Sequence, residues 1–183
     1  MFERRRAHKR LEAVAPLGAS TPDGALARVS GVVRMLDMKL LAPTTGRPCV
    51  AFAVRVHEPG RHEPGGFDQR KPTDYVELVP FAIPHALGDV RVDSQFAELV
   101  LPEQRTARIS ERHWADFCDQ RALSPRSTGV ERMLEAGAPV TVLGTVTWRA
   151  GRPGAETGFR EAATRPCIVG DFDHPLLIFD EEI

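Results

Sequence analysis

Two valine-rich segments constrain this chain most, because apolar residues at every second position are typical of a strand with one buried face. In residues 50–56 the apolar positions are Val50, Phe52, Val54 and Val56. Residues 139–148, PVTVLGTVTW, repeat the pattern, and Gly144 falls in register as a predicted bulge or point of close approach. Further strands are predicted near 29–38, 75–83, 90–93, 96–101 and in the closing segments CIV and LLIF.

Two short helices are predicted between these strands. Ser110 is expected to cap a helix that carries three apolar residues on one face, Trp114, Phe117 and Cys118. Thr128 and Glu131 have the spacing of a capping box, which predicts a second helix over residues 128–137. The pattern indicates an α+β, β-rich fold: a small curled antiparallel sheet or partly closed barrel with two short helices.

Length and composition favour one domain over residues 25–183, preceded by a basic N-terminal arm and linker over residues 1–24. The formal net charge of -1 argues against a broad cationic field. Three cysteines far apart in the sequence give no disulfide framework, so a reducing, cytoplasmic setting is expected. We predict no secretory signal and no transmembrane segment, since the longest uncharged stretch, residues 136–148, is too short to span a bilayer.

Three segments carry a resemblance to a known family. They are GVVRMLDMKLLAPTTGRPCVAFAVRV, FAIPHALGDVRVDS and GVERMLEAGAPVTVLGTV. The matching positions are Pro43, Gly46, Pro48 and Cys49 in the first segment, Gly88, Val90 and Asp93 in the second, and Glu131, Leu134, Gly137, Val140, Val142 and Gly144 in the third. In order and spacing, over roughly residues 28–180, they resemble the GIDE domain, also called BAM (beside a membrane), of membrane-anchored ubiquitin ligases and bacterial relatives.

The resemblance implies a domain that recruits or senses protein partners. Ubiquitin transfer in that family requires a separate RING module, and three scattered cysteines cannot build its two zinc sites. The family's flanking transmembrane helices also have no counterpart in this sequence. The expected function is therefore a non-enzymatic protein-recognition or scaffold module without a cofactor.

The predicted contact surface lies in two loops and the N-terminal arm. Residues 57–74 are rich in proline, glycine and charge, and repeat the string His-Glu-Pro-Gly, which is typical of an exposed loop. The candidate binding residues of the loops are His57, Arg61, His62, Phe67, Arg70 and Lys71, with Arg149 and Arg152 in the second loop at 149–158. Those of the arm, for an anionic membrane surface or an acidic partner, are Arg4, Arg5, Arg6, Lys9 and Arg10.

Two other classes of function stay open. An OB-like protein that binds single-stranded nucleic acid is the main alternative, since the chain holds 21 arginines and only three lysines, although many arginines alternate with acids. A metal-dependent or hydrolytic enzyme is the weaker alternative. Its candidate groups are Ser110 with His113, the thiol of Cys49, the pairs His57–His62 and His113–Cys118, and Asp171 and Asp173 with His174. Each has a plain structural interpretation as a cap, a buried hydrophobe, a solvated histidine or a turn, so no catalytic or metal site is predicted.

Overall fold

A computed structural model describes residues 2–59, 71–93, 96–101, 111–150 and 164–180. These ranges contain two helices, α1 (Phe2–Ala13) and α2 (Glu111–Gln120). The strands are β1 (Leu26–Val32), β2 (Arg34–Met35), β3 (Leu40–Leu41), β4 (Pro48–Cys49), β5 (Ala51–His57), β6 (Thr73–Leu78), β7 (Phe81–Ile83), β8 (Val90–Val92), β9 (Ala97–Val100), β10 (Thr128–Leu134), β11 (Pro139–Ala150), β12 (Thr164–Val169) and β13 (Leu176–Phe179). The predicted α+β, β-rich fold is thus confirmed.

The main sheet curls until its pairings form a ring. β1 and β2 are separated only by Val33, whose N–H and C=O bond the backbone of Ala138 and Gly137 at 2.9 and 2.8 Å. Around the ring, β2 pairs β7, β7 pairs β8, β8 pairs β12, β12 pairs β11, and β11 returns to β1. In chain order the ring strands run 1-2-3-5-4, as in a five-stranded Greek-key barrel of the OB type. The predicted partly closed barrel is therefore present, with two parallel pairings, β8–β12 and β13–β9, within an otherwise antiparallel sheet.

The barrel core follows from the strand periodicity. Valine and isoleucine side chains from β1, β7, β8, β11 and β12 point inward and are almost fully buried, among them Val29, Ile83, Val92, Val142, Val146 and Ile168. Each such side chain contributes roughly 1.5–3 kcal/mol on burial. Gly144 marks the predicted close approach: a Cβ there would lie 2.7 Å from both Ile168 Cγ2 and the carbonyl oxygen of Val169. This position therefore has no room for a side chain.

A second sheet of three strands, in the order β10–β5–β6, joins the barrel at one end. Helix α2 packs on one of its faces, and the predicted apolar face of this helix, Trp114, Phe117 and Cys118, is buried there. Its predicted cap, Ser110, lies outside the described residues. The helix predicted over residues 128–137 is wrong, because residues 128–134 form strand β10 in register with β5. Thr128 and Glu131 lie on opposite faces of this strand, so they form no capping box.

Residues before β1 pack against the barrel. The side chain of Leu11 on α1 is completely buried with Leu143, Leu177 and Phe179, and His8 meets the ring of Phe179 edge-on at 5.4 Å between centroids. The chain then hydrogen-bonds β1, with the Leu17 N–H donating to the Arg28 carbonyl at 2.8 Å. Neither α1 nor α2 is both long enough and apolar enough to cross a bilayer, and these are the helices in the described part of the chain.

Candidate functional site

The side of the three-stranded sheet that α2 leaves uncovered forms a groove against β9. We call it the open groove, and it encloses about 290 Å³. Its lining comprises Ala53, Arg55, Asp74, Val76, Val130 and Arg132 from the three-stranded sheet, with Ala97, Glu98 and Leu99 from β9. Strand register explains why these side chains meet: Arg132, Ala53 and Val76 are cross-strand neighbours, as are Val130, Arg55 and Asp74.

The floor of the open groove is apolar. Ala53 and Val130 are half-buried, while Val76, on the edge strand β6, is 43% exposed. Among the described strands, β6 pairs only with β5. The other edge of β6 lies near β9, beside the open groove. Exposed apolar surface beside a strand edge is the kind of surface that a partner covers.

Two arginines lie at the rim of the open groove on the three-stranded sheet. Arg55 donates two hydrogen bonds to the Asp74 carboxylate, from Nε to Oδ1 at 2.8 Å and from Nη2 to Oδ2 at 3.0 Å. The Arg55 hydrogen bond lowers the pKa of Asp74, and the nearby charges of Arg55, Arg132 and His57 lower it further. On the three-stranded sheet the Asp74 carboxylate therefore lies near two guanidinium groups and a histidine, and Glu98 on β9 is the second acid of the lining.

Only some of the predicted binding residues lie in the described part of the chain. His57 ends β5 beside this cluster, and Lys71 is exposed just before β6, so both stand where the 57–74 loop leaves the sheet. Arg149 lies elsewhere, on the outside of the barrel, with its Nη1 3.9 Å from Asp93 Oδ2. Five predicted loop residues fall outside the described residues, namely Arg61, His62, Phe67, Arg70 and Arg152.

The basic N-terminal residues lie on α1. Lys9 and Arg10 are exposed, whereas the side chains of Arg4, Arg5 and Arg6 fall outside the described part of the structure. Leu11 holds the helix on the barrel. Contact of this segment with an anionic membrane or an acidic partner stays a prediction.

Sequence reasoning missed the residues that form the open groove, above all Arg55, Asp74, Val76 and Arg132. A signal for Arg55 was present, because it is the charged residue among the positions that alternate with the valines of 50–56. Arg132 was hidden by the wrong helix prediction, which placed it on a solvated helical face. Correct strand assignment would have put Arg132 beside Ala53.

Beneath the opposite, covered face, Glu131 fixes a turn. Its carboxylate is completely buried and accepts hydrogen bonds from the Thr44 N–H at 2.7 Å and the Thr45 hydroxyl at 2.9 Å. Gly46 follows with φ of +69°, and a Cβ at Gly46 would lie 2.5 Å from His113 Nδ1. Residues 44–46 and Glu131, far apart in the sequence, thus meet in space. The role of Glu131 is to hold the β3–β4 turn to β10.

The groups considered for an enzyme lie only partly within the described residues, since Ser110 and His62 fall outside them. Burial, with the nearby Glu131 and Glu135 carboxylates, raises the pKa of the Cys49 thiol to about 12, so this thiol stays neutral. The described residues contain no cluster of three or more histidine, cysteine or acidic side chains placed to hold a metal ion. Asp171 Oδ1 accepts the His174 N–H at 2.6 Å, which is a turn contact.

A second cleft, also about 290 Å³, separates α2 from the β3–β4 hairpin. Leu40, Phe52 and Phe117 line its apolar part, and the rim carries charges of both signs, including Lys39 and Asp116. Arg121 pairs with Glu77 and lies over the Phe117 ring at 4.1 Å from its centroid. Both clefts carry charges of both signs, but the two arginines of the open groove lie together on neighbouring strands of one sheet.

Comparison with known proteins leaves the chain without an assigned relative: no family model, no curated protein and no solved structure matches it.

Proposed function

We propose that this protein is a non-enzymatic recognition module that binds an extended, acidic segment of a protein partner in the open groove. The resemblance to the GIDE domain supports protein recognition as the general role. The observation that carries the proposal is the grouping of Arg55, Arg132 and His57 near Asp74 on an apolar strip of sheet, with Glu98 on β9 as the other acid of the groove.

The shape of the groove supports an extended ligand. It runs over three adjacent strands and is bounded by β9, so a ligand lying in it meets alternating apolar and charged side chains. An extended peptide presents its own side chains with the same two-residue period. Acidic side chains would reach the arginines, while apolar side chains between them would cover Val76 and Val130.

The two arginines on the sheet side of the rim would also speed the approach of acidic side chains. Complementary charge raises the rate of encounter between partners, and this effect weakens as salt screens the rim. The apolar strip then supplies the part of the affinity that salt does not remove. Binding should therefore weaken with salt but persist at moderate ionic strength.

Selection from a library of random peptides displayed on phage tests this proposal directly. We expect enrichment of sequences in which acidic and apolar residues alternate. Their binding should fall at least tenfold in both Val76→Asp and Arg132→Glu, because each change repels acidic peptides from the groove. Lys39→Glu is the matched control, since it makes the same kind of charge change at the second cleft.

Two results would contradict the proposal. One is the absence of any enriched acidic sequence after selection on the folded wild-type protein. The other is enriched peptides that bind the groove variants as tightly as the wild type while losing affinity for Lys39→Glu, because the second cleft would then be the binding site.

A further inference from the structure

The outside of the barrel carries a second basic surface, formed by Arg91 on β8, Arg149 on β11 and Arg165 on β12. We call these three residues the arginine face. Arg149 and Arg165 are direct cross-strand partners, and Arg91 is paired with Cys167, two residues along β12 from Arg165. Because residues that pair directly, or lie two apart on a strand, share a face, all three project from the same side of the sheet. All three are exposed.

Among the described residues, the charges of the arginine face are only partly balanced. Asp93 Oδ2 lies 3.2 Å from Arg91 Nε and 3.9 Å from Arg149 Nη1, so two guanidinium groups share one carboxylate oxygen. Arg165 faces Arg149 across the strand pair. Like charges directly opposite each other destabilise a sheet. The Arg149–Arg165 pair is therefore locally unfavourable, and local rules of this kind are typically broken at functional surfaces.

The surroundings of the arginine face also suit an anion. Cys167 beneath it is 1% exposed, and burial raises the pKa of its thiol, so no thiolate competes for the arginines. Thr145 and Thr147 lie on the same face and are partly exposed. Their hydroxyls can donate hydrogen bonds to oxyanions beside the guanidinium groups.

We propose that the arginine face binds the phosphodiester backbone of single-stranded nucleic acid. The three arginines spread over three neighbouring strands, a width of about 10 Å, which exceeds one phosphate group and matches a run of successive phosphates. The outer surface of a small barrel is convex, so a flexible single strand can follow it. A stiff duplex or a flat membrane would touch it only locally. This function goes beyond peptide recognition, because its surface lies on the barrel and uses none of the residues of the open groove.

Fluorescence anisotropy of a labelled oligo(dT) of about 20 nucleotides tests the proposal. With three phosphates neutralised, log affinity should fall with log salt at a slope of about -2, or about 16-fold between 50 and 200 mM salt. The double variant Arg149→Gln/Arg165→Gln should lose at least tenfold in affinity at 50 mM salt, and its slope should drop to about -0.7. A duplex of the same length and vesicles containing phosphatidylserine should bind at least tenfold more weakly than the single strand.

Two controls separate this function from folding and from the open groove. Arg149→Gln/Arg165→Gln removes a repulsion between like charges, so its thermal midpoint should equal or exceed that of the wild type. Arg55→Gln/Arg132→Gln makes the same charge change in the open groove and should leave oligonucleotide affinity unchanged. Any one of three results would overturn the proposal. They are no anisotropy change at 50 mM salt, binding by the arginine-face variant as tight as that of the wild type, and binding of duplex or vesicles as tight as that of the single strand.

Discussion

The two faces of the three-stranded sheet differ in what covers them. On the covered face, Phe52, Val54 and Val56 pack under α2, and the rings of Trp114 and Phe117 stack at 5.5 Å between centroids. On the open face, Ala53, Arg55 and Val76 border a groove. Both faces arise from the same strands by simple alternation, so the difference comes from the helix that packs on only one of them.

This difference shows how a small β-rich protein can make a site without losing a core. The covered face supplies the stability of the sheet through aromatic packing and the buried carboxylate of Glu131. The open face is then free to carry charges and partly exposed valines that a ligand can cover. Substitutions on the covered face should therefore mainly lower stability, whereas substitutions on the open face should mainly weaken binding.

The strongest test of this contrast is Phe117→Ala. The Phe117 ring contacts Phe52, Tyr75 and Trp114, with centroids 6.3, 5.7 and 5.5 Å away. Its removal should lower the free energy of unfolding by about 3–5 kcal/mol. Val76→Ala is the matched change on the open face and should cost under about 1 kcal/mol, because this side chain is 43% exposed. Urea denaturation followed by circular dichroism measures both, and equal losses would contradict the division of roles.

Glu131→Ala should have the next largest effect. It leaves the buried Thr44 N–H without its acceptor and opens space beside the β3–β4 turn, at a cost of about 3 kcal/mol in free energy of unfolding. Glu135→Ala is the control, since the Glu135 carboxylate pairs with Arg47 at 2.6 Å at the surface and should contribute under about 1 kcal/mol. Chemical denaturation that ranks Glu135→Ala above Glu131→Ala would refute a locking role for Glu131.

Gly129→Ala probes the tightness of the covered face. A Cβ at Gly129 would lie 2.6 Å from Cη2 of the Trp114 ring, so the change should cost about 1–3 kcal/mol by overpacking. Trp114→Phe removes the atoms that would clash, and adding it should recover part of the loss. A double-mutant cycle on unfolding free energies should give a coupling of at least about 1 kcal/mol. Additive effects would mean that the Trp114 ring does not limit the space for a side chain at residue 129.

The smallest effect concerns pH at the open face. The native pKa of Asp74 lies below its ordinary value, so the ionised Asp74 carboxylate stabilises the folded protein. This contribution to the free energy of unfolding is fully present above the unfolded pKa, and it is lost as the pH falls through the native pKa. Both partners of the Arg55–Asp74 pair are substantially exposed, so this contribution should be under about 1 kcal/mol. The unfolding free energies of the wild type and Asp74→Asn should differ at pH 7 and converge as the pH falls through the lowered native pKa of Asp74. A difference that grows on acidification would contradict this assignment.

Much of the fold followed from local patterns. The alternation of valines predicted β5 and β11, the spacing of Trp114 and Phe117 predicted α2, and Gly144 was recognised as a point of close approach. Residues 128–134 were misread because their apolar residues also fit a helical stripe, and local propensity cannot decide between the two periods in so short a segment. The pairing with β5 decided it, and this pairing is a contact between residues more than 70 positions apart.

The sequence by itself determined that this chain builds strands with a buried valine face, holds its thiols apart, and places charge in its loops and ends. Only the tertiary structure decided which charges come together. Arg55, Asp74 and Arg132 meet because two strand pairings align them, and Arg149 faces Arg165 because β11 pairs with β12. Periodicity is a local property that a sequence states directly, whereas strand register depends on long-range packing.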